Sequence, residues 1–290
     1  MRQSASASSS SGGGESHDVC EARARAYDDH YRTAGWRARP WTLQDARDEL
    51  SCAIESPTGR HINGNEIMMA LRRIGAPHVR GKTILDYCCG TGVASIYLTL
   101  LGAKVHAFDA SPVAIEIASA SAKLTGVDHL IDFHVADARD LPFDDAMFDA
   151  AFCQSALHIV ADYRECSGEA ARVLKPGGNI VFCEEALDGN PLLEPIRRLR
   201  RRRNAACGGH PLSRRQIEAF GRPFTEMRVY PFNLLGQVKN FWSRHLIENG
   251  SLNAMSRRFL WTLMRIDRAL LAAAPKLGRV CGKAVIEYIR

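Results

Sequence analysis

Between residues 81 and 184, short apolar runs alternate with helical segments, and this alternation limits the possible folds more than any other feature of the chain. The stretch 83-TILDYC-88 is apolar and ends in turn chemistry, as a buried parallel strand does. A helix over 93–103 closes at Gly102, and 104-KVHAFDA-110 reads as a second strand. The next helix, 112–126, has Ser111 placed to cap it, Pro112 in its first turn and Gly126 at its end. Strands three and four follow at 130–137 and 147–153. A helix over 160–174 carries Ile159, Tyr163, Ala170 and Val173 toward the core, and the turn KPGG leads into strand five at 179–185. Alternation at these lengths predicts a doubly wound α/β fold, a mostly parallel sheet with helices on both faces.

The flanks read differently. Residues 1–19 are dominated by serine and glycine, with no means of burying apolar area, and read as a disordered tail. Residues 20–75 form an N-terminal helical lid bearing Tyr27, Tyr31, Trp36 and Trp41, and 76–185 is the α/β core. Residues 186–290 supply acceptor-side helices and two more strands. They comprise an Arg-rich helix (191–205), a strand (225–232), a helical stretch (237–275) and a final alternating strand (282–290).

With 46% hydrophobic residues in 290, a core can form without a disulfide or metal staple. The nine cysteines are odd in number, contain no C-x-x-C pair and show no zinc-finger spacing. Reduced cysteines and no metal site are therefore expected. There is no signal-peptide core and no apolar run of membrane-spanning length, so the chain is expected to be cytoplasmic. Charge is divided unevenly: residues 1–190 hold 18 Lys/Arg against 26 Asp/Glu, and residues 191–290 hold 20 against 6.

In an open α/β sheet, ligands bind beyond the carboxyl ends of the strands, at the switch point beside strand one. Each such end here carries a telling residue. Gly90 and Gly92 allow a tight turn and close approach to a ligand just before a helix N-terminus. Asp109 ends strand two, where a carboxylate can accept both hydroxyls of a ribose. Asp137 follows strand three, within reach of an adenine amino group, and Gln154 follows strand four. Each signal is weak alone, but in this order they indicate an adenosine-containing cofactor. The loop Gly90-Thr91-Gly92-Val93-Ala94-Ser95 lacks the third glycine of the dinucleotide fingerprint. Asp86 would repel a pyrophosphate and attract a sulfonium or ammonium group. That favours S-adenosylmethionine.

On these motifs the sequence resembles the class I S-adenosylmethionine-dependent methyltransferases, particularly small-molecule enzymes of bacterial type. LDYCCGTG is similar to their first glycine motif and VHAFDAS to their ribose-binding strand. HVADARDLPFDDAMFDAAFC and EAARVLKPGGNIVF are similar to the motifs that follow. The resemblance covers about residues 80–185. It implies a Rossmann-like sheet of seven strands, the last antiparallel and inserted beside the fifth, with TEMRVYPF and KAVIEYIR as strands six and seven. It also implies that Asp86, Gly90 and Gly92 hold the methionine moiety, Asp109 and Ala110 the ribose, and Asp137 and Ala138 the adenine. Cys88 departs from the pattern, standing where the family usually has glycine.

Other residues carry two readings each. His158 lies just past strand four; histidine titrates near neutral pH and can take a proton from an acceptor hydroxyl, or it packs beneath the cofactor. Tyr27 and Tyr31, four residues apart, share a helix face. The resemblance places such a helix over the site, with Tyr31 toward the cofactor and Tyr27 toward the acceptor, while core packing accounts for the same pair. Glu184 and Glu185 end strand five, and Glu185 is an acceptor-side candidate. The run 197-RRLRRRR-203 is a solvated helix or an anion-binding surface. The segment 256–274 is amphipathic, a lid or a peripheral membrane contact. No RNA-binding module is recognisable, so nucleic acid is not the expected partner. The expectation is a methyltransferase of small-molecule biosynthesis acting on O or N of a partly apolar or lipid-like acceptor. An RNA or protein methyltransferase and a non-catalytic nucleotide-cofactor binding module are the alternatives.

Overall fold

The computed structural model describes residues 13–33, 37–38, 40–55, 64–75, 78–188, 211–232, 234–235, 247–248, 251–252 and 254–290. The Arg197–Arg203 run, Trp36 and residues 1–12 of the Ser/Gly-rich stretch lie outside them.

Three helices come first: α1 (Gly13–Thr33), α2 (Leu43–Glu55) and α3 (Gly64–Arg73). α1 begins inside the stretch read as a tail. The alternating core follows in the expected order: β1 (Thr83–Tyr87), α4 (Val93–Leu100), β2 (Lys104–Asp109), α5 (Pro112–Thr125), β3 (Ile131–Val135) and β4 (Phe148–Gln154). The capping signals are realised. The Ser111 hydroxyl accepts from Ala114 N, Pro112 opens α5, and Gly126 closes it in left-handed backbone (φ 77°).

The helix expected over 160–174 is two helices, α6 (Leu157–Val160) and α7 (Arg164–Val173). Tyr163 between them is extended (φ −114°, ψ 117°), which ends any continuous helix. Its ring lies 5.7 Å from the Arg139 guanidinium, a contact a continuous periodic pattern does not foresee. Ala170 and Val173 are buried as expected, with Ile159 and Tyr163 packed at the edge of the same core.

β5 (Leu174–Ala186), α8 (Arg214–Phe220) and β6 (Glu226–Phe232) lead to the second departure. Within the stretch read as helical, β7 (Ile247–Glu248) and β8 (Ser251–Leu252) pair as a small antiparallel two-stranded sheet. Asn249-Gly250, the strongest short hairpin signal a sequence can carry, stands between them. The helix itself, α9 (Ala254–Ala273), starts only afterwards, and β9 (Lys283–Ile289) ends the fold.

The main sheet has seven strands in the order β3-β2-β1-β4-β5-β9-β6. β1 to β5 run parallel, whereas β9 is antiparallel to both β5 and β6. The order reverses between β1 and β4, which places the switch point at the end of β1. Each face has its own core. Leu85, Tyr87, Phe108, Phe148, Phe182 and Tyr288 pack on one side, and Ile84, Val105, Ala107, Phe152, Val181 and Val285 on the other. The alternation Ile84/Leu85 and Ala107/Phe108 across the two clusters is the period-two pattern of strands buried on both faces.

Candidate functional site: the carboxyl ends of β1 to β4

After Tyr87 the chain turns through Cys88–Gly92 into α4. Cys88, Gly90 and Gly92 all take left-handed backbone, with φ of 56°, 54° and 76°. Glycine adopts this conformation freely, whereas other residues meet a steric cost of about 1–2 kcal/mol. The family pattern's glycine at the Cys88 position thus has a direct conformational reason. At Gly92 a Cβ would lie 2.7 Å from Ala118 Cβ on α5, and at Gly90 one would lie 3.1 Å from the Tyr31 hydroxyl. The backbone approach at both points depends on a missing side chain.

Cys88→Gly should leave stability within about 1 kcal/mol of wild type, because relief of the left-handed cost is offset by lost thiol packing. Cys88→Val puts a β-branched side chain in the same backbone and should cost roughly 2 kcal/mol or more. Urea unfolding compares the two; equal midpoints would show that backbone strain is not what distinguishes this position.

Asp109 ties the loop to the neighbouring strand. Its Oδ2 accepts from Gly90 N at 2.9 Å and its Oδ1 from Ser111 N at 3.0 Å. Burial raises its pKa even though Ser111, Gly90 and Ala110 N–H groups bond to it. A carboxylate has about four lone-pair sites, so capacity for about one ligand hydroxyl remains. Asp86 is 1% exposed and accepts from the Ser95 hydroxyl at 2.5 Å. Burial pushes its pKa up to about 7, opposed by the Ser95 hydroxyl and N–H and reinforced by the negative charge of Asp109. Among the described residues no cation pairs with it. A buried carboxylate without a positive partner is costly, and a cationic ligand removes that cost.

Helix α1 crosses this loop. Asp28 accepts from the Ser111 hydroxyl and from Val113 N at 3.4 Å, so α1 is fastened to the N-terminus of α5. The same helix brings Tyr31 over Gly90, with Tyr27 beside it at a ring separation of 6.4 Å. Burial, then the charge of Asp109, raises the Tyr31 phenol far above its ordinary range, which keeps it a neutral hydrogen-bond donor.

At the end of β3, Ala136 N bonds to Asp109 O at 3.1 Å and Ala138 is 8% exposed. Asp137 is engaged by its neighbour Arg139, whose Nε lies 3.1 Å from both carboxylate oxygens and whose Nη2 lies 2.7 Å from Oδ2. At the end of β4 come Gln154, partly buried, and Ser155 in left-handed backbone (φ 57°), its N–H bonded to Cys183 O at 2.9 Å. His158, partly buried, sits on α6 immediately beyond. Glu185 pairs through its backbone with Ala284; its side chain and that of Glu184 are outside the described set.

The structure therefore gathers Asp86, Cys88, Gly90, Gly92, Asp109 and Tyr31 about one loop, with Asp137 near enough for its charge to act on Cys88. Burial, followed by the nearby carboxylates, lifts the Cys88 and Cys89 thiols well above their ordinary pKa. Held protonated, they are neither nucleophiles nor thiolate ligands at neutral pH. Three participants escaped the sequence reading: Ser95 on α4, Asp28 on α1 and Arg139 after β3. Asp28 was accessible in principle, since it shares a helix face with Tyr31 three residues on. A cavity of about 1440 Å³ lies elsewhere, against α3, β6 and α9, and none of the strand-end residues lines it.

An open sheet with a glycine loop at its switch point and an acid ending the second strand is the arrangement in which α/β domains bind nucleotide-type cofactors. Residues 85–182 match the family model described as a methyltransferase domain. The match makes this segment similar to methyltransferase domains. A demethylmenaquinone methyltransferase from Clavibacter sepedonicus is 39% identical over 157 residues, covering 53% of this chain and 62% of the relative. A 27-O-demethylrifamycin SV methyltransferase from Amycolatopsis mediterranei is 32% identical, covering 50% and 51%. A phthiotriol/phenolphthiotriol dimycocerosates methyltransferase from Mycobacterium leprae is 31% identical, covering 46% of each. The chain thus spans about half to six-tenths of the length of these relatives. Among solved structures, geranyl diphosphate C-methyltransferase from Streptomyces coelicolor shares the fold, with a TM-score of 0.53 at 16% identity over 78% of this chain and 77% of that one.

Proposed function

We propose that the chain is an S-adenosylmethionine-dependent methyltransferase acting on a small, partly apolar acceptor. The observation that carries this reading is Asp86: a buried carboxylate beside the glycine loop, with no cation paired to it among the described residues. It fits a cofactor whose amino-acid end is positively charged and disfavours one with a pyrophosphate there. When bound, S-adenosylmethionine supplies an electrophilic methyl group and leaves a neutral thioether.

The chain's own residues hold and align. Ionised Asp86 pairs with the cationic end, and the Gly90 and Gly92 backbone admits it closely. Asp109 and Ala110 take the ribose, and Asp137, held by Arg139, presents its remaining lone pairs to the adenine beside Ala138. Tyr31 closes over the loop with a neutral hydroxyl, and Gln154 flanks it from β4. Alignment and exclusion of water are the principal catalytic contributions, since a bound near-attack geometry removes most of the entropic barrier of a bimolecular transfer.

The acceptor is assigned to the side of α6 and the end of β5, among Tyr27, His158 and Glu185. Relatives whose names specify a demethylmenaquinone and a phthiotriol dimycocerosate support a quinone-like or lipid-like acceptor. Transfer to oxygen or nitrogen remains the reading, and His158 takes the proton released by an acceptor hydroxyl. His158→Ala should lower kcat about 100-fold with cofactor affinity unchanged. Wild-type turnover would remove it as the base. Incubation with methyl-labelled cofactor and a panel of quinols, phenols and amines, with the product solved by NMR, tests the acceptor class. A label found on carbon would contradict the oxygen-or-nitrogen assignment.

A further inference from the structure

Away from the glycine loop, on the outer pair of strands, three side chains form a cluster that the transfer reaction does not use. Asp132 and His134 flank Phe133 on β3 and so share one face of the sheet. His106 on β2 is the direct cross-strand neighbour of Asp132. His106 Nδ1 lies 3.3 Å and His134 Nε2 lies 3.1 Å from the same Asp132 oxygen, Oδ2. All three potential donor atoms fall within 4.8 Å of one another.

A plain histidine–carboxylate hydrogen bond does not account for this arrangement. Both nitrogens are buried, and although each lies close to Asp132 Oδ2, neither meets it in the geometry of a well-directed hydrogen bond. Orphaned buried nitrogens are uncommon because each costs roughly 1–3 kcal/mol, and an ion is one of the few things that satisfies them. The spacing points the same way. Zinc bound at about 2.0–2.1 Å by tetrahedral ligands sets those ligands about 3.3 Å apart. The two histidine–carboxylate separations, 3.3 and 3.1 Å, lie close to that edge.

The rings are held in place. The two imidazoles stack at 6.2 Å with 17° between their planes, and Phe143 meets both edge-on at 5.9 Å and 5.0 Å. His106 also abuts Phe148 at 5.6 Å. The histidine side chains are 22% and 29% exposed and Asp132 is 61% exposed, so an ion has an entry path from solvent.

We propose that His106, Asp132 and His134 form a binding site for a divalent ion of the zinc type, with water as the fourth ligand. The ion cross-links edge strand β3 to β2 and so fastens the strand that leads to Asp137. The proposal is independent of the methyl-transfer reading, and its role is structural.

The test uses the full chain, stripped with chelator and desalted. Titration with zinc chloride at pH 7.5 should give a one-to-one binding event and a higher melting temperature. His106→Ala, His134→Gln and Asp132→Asn should each weaken that event about tenfold or more, with S-adenosylhomocysteine affinity unchanged as a check that each variant is folded. Cobalt in place of zinc should show tetrahedral d–d absorption in wild type that the variants lose. Absence of wild-type binding below about 100 μM, an affinity of only about 5.5 kcal/mol, overturns the site. Equal affinity and stoichiometry in wild type and the His106→Ala/His134→Gln double variant also overturns it, since the metal then resides on the cysteines.

Discussion

Asp86→Asn is expected to make the ligand-free protein more stable and nearly unable to hold its cofactor. The folded carboxyl titrates at about 7 against an ordinary value of 3.8, a shift driven first by burial. Below pH 4 the group is protonated folded and unfolded, and carries no charge penalty. Between pH 4 and 7 the folded state keeps a proton that the unfolded state releases, so stability falls as pH rises. Above pH 7 the full penalty applies, about 4 kcal/mol at 1.36 kcal/mol per unit. Asparagine keeps an acceptor for the Ser95 hydroxyl and carries no charge. After the imperfect pairing of its amide is allowed for, it should gain roughly 2 kcal/mol at pH 8 and little at pH 4.

On the proposed reading, the same substitution removes the partner of the cofactor's cationic end. Breaking a buried charge pair costs about 3–5 kcal/mol, which corresponds to an affinity loss of roughly 100-fold or more at pH 8. Wild-type affinity for S-adenosylmethionine should rise with pH up to about 7 and then level, and the variant should show no such rise. Urea unfolding at pH 4 and 8, together with calorimetric titration across the range, reads both effects. Unchanged stability at pH 8 with wild-type affinity would falsify the role given to Asp86.

Asp109→Ala carries the second large effect, for a different reason. Asp109 holds the loop through Gly90 N and the start of α5 through Ser111 N, and on the proposed reading it also takes the ribose. Loss of the charge-assisted contact to the ribose, together with release of the loop that Asp109 anchors, predicts cofactor binding weaker by roughly 100-fold. Asp109→Asn keeps one acceptor oxygen and should lose only about tenfold. Wild-type affinity in the alanine variant would mean that the loop and ribose are held by other groups.

Much of this site was legible because its signals are local. Ser111, Pro112 and Gly126 mark α5 by their own backbone preferences, and Asp86, Gly90 and Asp109 each stand at a strand end fixed by an apolar run. What was not legible depends on contacts between distant segments. Asp28 reaches Ser111 across 83 residues, and the break at Tyr163 accompanies a ring–guanidinium contact with Arg139. The His106–Asp132–His134 cluster was hidden because metal-ligand spacing was sought along the chain. Here one ligand comes from the neighbouring strand through the β2–β3 register. The pairing of β7 with β8 is the exception: Asn249-Gly250 announced it, and the apolar periodicity of α9 was extended over it.

Cys88 and Cys89 stand next to each other beside a glycine loop, and the sequence already disfavours a redox pair because adjacent strand residues point to opposite faces. Their burial among Asp86, Asp109 and Asp137 keeps them protonated, and the left-handed backbone at Cys88 makes it a strained spacer in the glycine loop.

The most direct test of the central claim is calorimetric titration of the full chain with S-adenosylhomocysteine and, separately, with NAD at pH 7.5. S-adenosylhomocysteine should bind one-to-one, with that event reduced about 100-fold by Asp109→Ala, and NAD should give no comparable heat. No binding of S-adenosylhomocysteine, or equal binding of NAD, would contradict the account.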